Sequence, residues 1–424
     1  MDAMKARADR AVGAKIRKAR ESRKWTRSRL ANELNRASGL VTTAKYVARW
    51  ELGERRPGYV WGPVLERVLD LDLDAIESRA QSAALPASQR ADQRHGHDQT
   101  DEPAGDDAVH AAIPRLRRAL DSIDLPDDGL TRSNRELVGE VARMIDHRLE
   151  ARYAVLAWRL PSLISELARA AQTSVGHDAR QAAALLTLAF RAADGVAYKY
   201  GYMDLSARII DLMRTSAIAA EDPYLLAAVS YVRTETFFAT GDLAVASRLL
   251  NAAADELPSG PGAGAAAAAA YGALHMRAAV VAGRAGKPDT ARAHLDEARR
   301  AAHLVPEDVY FGTAFGPSSV RVHELAVAVE LGDSPAAVER AAAWHPPEHL
   351  PAERRSHYYI DLARAQLRLD HHEDVLLCLH DARAIAPLHV RGHPQVHDTL
   401  STLLRTSRST DDRLLEIATW AGVR

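Results

Sequence analysis

The sequence predicts an all-α fold, on three observations. Ala-rich segments with apolar residues at helical spacing recur along the chain. Alternating Val/Ile/Thr runs, the mark of a half-buried strand, are absent. A spaced pattern of small and large apolar residues, usually preceded by a turn glycine, returns through the second half. The 424 residues exceed one ordinary domain of ~100–200. Hydrophobic residues make up 47%, enough for a sizeable core.

Residues 1–80 carry four short helical patterns. Ile16, with the aliphatic part of Lys15, marks the first, and Leu30, Ala31 and Leu34 mark the second. Tyr46, Val47 and Trp50 mark the third. Val64, Leu65, Val68, Leu69 and Leu71 mark the fourth, opened by Pro63, a favourable first helical residue. Trp25, Trp50 and Trp61 read as core. Residues 81–110 show no period and almost no bulky apolar residue, and they hold 2 Arg against 6 acids. They read as a disordered acidic linker.

Residues 111–424 read as stacked helix pairs. Gly241, Ala246, Leu250, Ala253 and Pro258 follow the tetratricopeptide (TPR) spacing: a turn glycine, small residues where two helices cross, an apolar plug and a terminating proline. The spacing repeats at Gly286, Ala291, Leu295 and Ala298, and at Gly332, Ala337 and Ala341 with Trp344 in a small residue's place. It returns at Asp370, Val375, Leu379, Ala382 and Pro387, and more weakly at Gly201, Ser206, Ile210 and Met213. Turn separations of 40, 45, 46 and 38 exceed the standard ~34. The expected architecture is a degenerate α-solenoid, with a capping helix pair in 391–424.

The net charge of −1 conceals an asymmetry. Residues 1–60 hold 16 Lys+Arg against 6 Asp+Glu, so a basic head precedes an acidic body, and one end is expected to face a polyanion. One cysteine, Cys378, excludes an internal disulfide and fits a reducing cytoplasm. The N-terminus is charged, and no apolar run approaches the ~18 residues of a membrane span. A cytoplasmic protein without membrane contact is expected.

The sharpest local signal is the run from Thr42 to Pro57. Thr43 suits an N-cap, Val47 and Trp50 fall on one buried face, and Ala44, Lys45, Tyr46 and Arg49 look outward. Gly53 ends the helix, and Arg55 and Arg56 follow in a basic turn. With Leu30-Ala31 and Leu34 on the preceding helix, this is a helix-turn-helix pattern. Its second helix fits a major groove about 12 Å wide. The expected partner is double-stranded DNA. Lys45 and Arg49 suit guanine edges, and Tyr46 suits a phosphate or a thymine methyl. Lys15, Arg17, Arg27, Arg29, Arg55 and Arg56 suit phosphates.

Residues 10–75 resemble the lambda-repressor-like (XRE) helix-turn-helix family, on Arg17, Arg20, Leu30-Ala31 and the run Val47, Trp50, Glu51, Gly53 and Pro57. The turn departs from that pattern: Asn35 to Thr42 is longer than the family's usual turn. Residues 113–407 resemble the TPR-like sensor portion of actinobacterial XRE regulators. The stretches carrying this likeness are Ile113 to Leu120 with Leu125-Pro126-Asp127-Asp128, Phe315 to Val320 with Val327 to Asp333, and Asp361 to Ala365. They are distantly similar to the peptide-sensing quorum regulators of Gram-positive bacteria. The resemblance implies a transcriptional regulator, a homodimer and an effector, a signalling peptide or small molecule, held in a concave face.

Effector candidates are the aromatic, Gly-rich loop with Tyr310, Phe311 and Phe315, together with Tyr202, Arg233 and Phe237. No phosphate-binding loop, dinucleotide fingerprint or Gly-x-Ser-x-Gly elbow is present, so no enzyme and no cofactor are expected. The histidine pairs His345/His349, His371/His372 and His393/His397 read as surface or loop residues, and no metal is expected. Cys378, on an apolar helix face, reads as a buried structural thiol. The alternative function is a TPR scaffold that recruits a protein and is tethered to DNA by its head.

Overall fold

Helices hold 80% of the described residues and strands 2%, in accord with the periodicity. The computed structural model describes residues 2–38, 42–53, 57, 61–71, 105–126, 129, 131–258, 264–406 and 412–423. They belong to two compact units, 1–101 and 102–424.

In the first unit, α1 (Asp2–Ser22), α2 (Arg27–Ser38), α3 (Ala44–Glu51) and α4 (Trp61–Leu69) enclose a small core. Val12, Ile16, Leu30, Ala31, Leu34, Val47, Trp50, Leu65 and Leu69 form it. Trp25 and Trp61 are half-buried against it, and Trp61 lies 5.9 Å from Trp50 between ring centroids. Backbone proximity explains Gly13: a Cβ there would meet the Trp50 carbonyl oxygen at 2.4 Å, so α1 and α3 touch where only glycine fits. The long turn needs correction. α2 continues through Asn35–Ser38, so much of the apparent insertion is helix. Asn35 closes what remains, donating from Nδ2 to the Thr42 carbonyl at 3.0 Å and accepting from the Thr42 N–H at 2.6 Å.

The second unit runs α5 (Asp106–Asp121), α6 (Asn134–Leu149), α7 (Tyr153–Thr173), α8 (Gly176–Lys199), α9 (Met203–Ala220), α10 (Pro223–Thr240), α11 (Leu243–Asp255), α12 (Gly264–Arg284) and α13 (Pro288–Ala302). A hairpin of β1 (Asp308–Tyr310) and β2 (Thr313–Phe315) follows. Then come α14 (Pro317–Glu330), α15 (Ser334–Ala343), α16 (Ala352–Arg368), α17 (His372–Ile385), α18 (Pro387–Arg391), α19 (Pro394–Thr406) and α20 (Asp412–Ala421). Most helices adjacent in sequence pack on each other, α5 packs on α7, and further contacts join α8 with α10, α10 with α12, α12 with α14, and α14 with α16.

The expected turn residues all take left-handed backbone: φ is +76° at Gly201, +78° at Gly241, +65° at Gly286, +81° at Gly332 and +59° at Asp370. This is the conformation that favours glycine and admits aspartate. The small and apolar positions after each turn are buried, including Ser206, Ala246, Leu250, Ala291, Ala298, Ala337, Val375 and Leu379. Cys378 is buried as well, and burial beside Asp381 and Asp374 pushes its thiol up to about 12.

Two expectations are overturned, and a third is qualified. The linker does not reach residue 110, because α5 starts at Asp106 and buries Val109. The aromatic, Gly-rich loop is an antiparallel hairpin pairing Asp308 with Phe315 and Tyr310 with Thr313. Its turn needs φ of +51° at Phe311 and +74° at Gly312. Finally, α12 is long and apolar enough to cross a membrane, but 67% of its apolar window is buried among neighbouring helices, as in a core helix.

Candidate nucleic-acid interface and the polar interior

In α3, burial of Val47 and Trp50 leaves Lys45, Tyr46 and Arg49 exposed on the opposite side, with Ala44 half-buried. Thr43 occupies the N-cap position with extended backbone, yet its side chain makes no capping bond. Its carbonyl instead accepts from the Tyr46 and Val47 N–H groups. Gly53 takes φ +69° and sits against Arg10, where a Cβ would be 2.9 Å from the Arg10 Cα. Arg55 and Arg56 lie outside the described residues.

The remaining phosphate candidates separate by what they touch. Lys15 is exposed on α1. Arg17 is exposed and pairs with Glu21 one turn on, at 2.8 Å. Arg29 is exposed with its guanidinium 5.7 Å from the Trp25 ring centroid. Arg27 is half-buried and engaged within the head. Its Nε donates to Glu51 Oε2 at 2.7 Å, while Arg20 donates to both Glu51 oxygens at 2.5 and 3.1 Å and to the Trp25 carbonyl at 2.8 Å. Glu51 is buried, so this three-helix ion cluster is structural.

The effector candidates are scattered. Phe315 is fully buried, with its ring over Gly272, so it is core. Phe311 stacks on Tyr224 at 5.3 Å, and with Tyr231, Tyr310 and Thr313 they line a cavity of about 10 Å³. That space suits a single water and no peptide. Arg233 is exposed, 5.9 Å from the Phe237 centroid. Tyr202 bonds His110 Nδ1 at 2.7 Å.

The charged interior of the second unit was not visible from sequence. Arg148 is buried, donates to Glu353 Oε2 at 3.0 Å and to the Gly312 carbonyl, and occupies space that Gly195 leaves open. Lys199 pairs with Glu353 at 3.4 Å. Arg354 donates to the Tyr231 hydroxyl at 3.2 Å, and Arg277 stands 4.3 Å over the Tyr231 ring and bonds Glu235 at 3.1 Å. Burial favours the neutral carboxyl at Glu353, but Lys199 and Arg148 outweigh it and hold the group at about 2. Burial likewise opposes ionisation of Tyr231, and Arg277 and Arg354 bring it down to about 8. Burial and the neighbouring Glu235 carboxylate push Asp194 up to about 8, against Arg191 at 3.7 Å. Cations outnumber acids in this cluster, and the Nε atoms of Arg148, Arg191, Arg277 and Arg354 are buried without hydrogen-bond partners.

One of the paired histidines has closer partners than the sequence disclosed. His397 bonds the Arg391 carbonyl at 2.7 Å and His371 bonds Gln366 at 2.8 Å, but His393 is not an isolated loop residue. It gathers with His357 and His389, one ring nitrogen of each lying within 4.8 Å of the others. These three could hold a metal ion. The x3 spacing of His389 and His393 was the available signal, and the break at Gly392 obscured it.

No protein-family model matches the chain, and no curated protein matches it.

Proposed function

We propose that this chain is a sequence-reading, DNA-binding transcriptional regulator of the cytoplasm, acting as a homodimer. In this reading α2 and α3 form a helix-turn-helix that lays α3 in a major groove, and the helical body is a TPR-like solenoid that dimerises and senses an effector. The observation that carries the reading is α3 itself: Val47 and Trp50 anchor it while Lys45, Tyr46 and Arg49 project from the other side. An Arg on an exposed helix can make the bidentate guanine contact, and exposed cations on α1 and α2 supply phosphate attraction. The net positive charge of 1–60 supports the same partner. Sensing is supported by the buried charges around Glu353, since strongly perturbed ionisable groups cluster at functional sites. The excess of cations there favours an anionic effector.

The test is genomic DNA selection with purified full-length protein, followed by binding to a recovered site. A discrete motif in two half-sites about 34–36 Å apart, or a multiple, is expected for a dimer. Weak binding without a motif, falling steeply with salt, would overturn sequence reading and leave the head as a basic tether.

A further inference from the structure

We propose that His357, His389 and His393 form a binding site for a divalent first-row transition-metal ion, with zinc(II) as its representative. Three imidazoles converge from three elements: His357 on α16, and, some thirty residues on, His389 on α18 with His393 at the entry to α19. Ring centroids are 5.9, 5.3 and 5.2 Å apart. The backbone fixes His393 independently of its ring. Its N–H donates to the Val390 carbonyl at 3.2 Å, and its own carbonyl accepts from Val396 and His397.

Two of the three rings present an unpartnered nitrogen. His389 Nε2 and His393 Nδ1 are buried and have no hydrogen-bond partner. Leaving two such atoms unsatisfied side by side is costly, and a shared cation satisfies both at once. The outer groups match the usual support of metal-bound histidine. His389 Nδ1 faces the Tyr153 hydroxyl at 3.2 Å, which leaves Nε2 for the ion. His357 Nε2 lies 3.6 Å from Asp361 Oδ2, another buried atom without a hydrogen-bond partner, while Asp361 Oδ1 is held by Arg364 at 2.8 Å.

Ligand type selects the ion class. Neutral imidazole suits zinc, copper, nickel and iron, whereas calcium and magnesium need oxygen cages. Lys199 acts on all three rings, but Glu353 pairs with it at 3.4 Å. Metal–nitrogen bonds of about 2.0–2.1 Å require the rings to close by roughly an ångström. His357 and His393 are half-buried, so an ion has a path in, and three ligands leave a fourth position open.

The experiment uses full-length protein stripped by chelator and dialysed against zinc(II), with bound metal counted by mass spectrometry. One equivalent per chain is expected. His393→Ala and His357→Ala should each weaken binding at least about a hundredfold, and Tyr153→Phe or Asp361→Asn about tenfold or more. His275→Gln, in the separate His275–His294 pair at 2.9 Å, should leave binding unchanged. Circular dichroism establishes that each variant is folded. Should a ligand variant not fold, cobalt(II) added to the unmutated protein decides, through visible ligand-field bands of a nitrogen-rich, four- or five-coordinate centre. No stoichiometric zinc, unchanged affinity in folded His357→Ala and His393→Ala, or a cobalt spectrum of six oxygen ligands would each overturn the site.

Discussion

Phe315 fills the space that Gly272 leaves on α12: a methyl group at position 272 would stand 2.0 Å from Phe315 Cζ and 2.7 Å from both Cε atoms. The hairpin is thereby pinned to α12. Gly272→Ala should destabilise by about 1–3 kcal/mol through overpacking, despite alanine's better helix propensity. Phe315→Ala should cost about 3–5 kcal/mol. Phe315→Leu in the Gly272→Ala background should cost less than the sum of the two single changes, because leucine vacates the clash. Urea unfolding of the unmutated protein, Gly272→Ala, Phe315→Leu and the double variant reads the coupling.

Glu51 predicts a second stability effect, in the head. Its carboxylate is buried and holds Arg20 and Arg27 from two other helices. Removing one partner leaves buried charge uncompensated, so Glu51→Ala should cost about 3–5 kcal/mol. The loss should appear as earlier melting of the head, followed through fluorescence of Trp25, Trp50 and Trp61 with the other tryptophans replaced.

Asp194 predicts a pH dependence of the body. The group is fully buried, faces Glu235 and Arg191, and accepts from Ser206 Oγ at 2.6 Å. Its folded value of about 8 lies above the ordinary aspartate value near 4. Between those values the folded chain carries a proton that the unfolded chain has lost. Stability therefore falls as pH rises through this window, by at most about 1.4 kcal/mol per pH unit. Asp194→Asn should flatten that slope and should exceed the unmutated protein in stability at pH 8. Urea midpoints at successive pH values check this, and an unchanged slope would remove Asp194 from the account.

The sequence discloses local geometry and conceals distant pairing. Gly201, Gly241, Gly286 and Gly332 were legible as turns because left-handed backbone demands glycine, and Asp370 because the small positions after it kept phase. The outward face of α3 was legible because Val47 and Trp50 fixed the inward one. Arg148 and Glu353 are 205 residues apart, and no periodicity links them. His357 and His389 meet only because α16 packs on α18. Arg27 looked like any surface arginine until α1 and α3 brought Arg20 and Glu51 beside it. The start of α5 was hidden by a single buried valine amid Asp and Gly, and strands of three residues are too short to alternate visibly.

The cations of the head should separate into three behaviours toward DNA. Lys15 and Arg29 are exposed on α1 and α2, so their alanine variants should weaken binding similarly on all sequences and reduce the salt slope by about 1 each. Arg49→Ala should cost about 1–3 kcal/mol on the preferred site, with relaxed preference at one base pair and little change elsewhere. Arg27→Ala should lower the melting temperature of the head through loss of its 2.7 Å bond to Glu51, and should leave the salt slope unchanged where the variant is folded. Fluorescence anisotropy with a recovered site and a scrambled duplex, at several salt concentrations, distinguishes the three. A salt-slope change in Arg27→Ala equal to that in Lys15→Ala would mean that the Glu51 pairing opens on DNA.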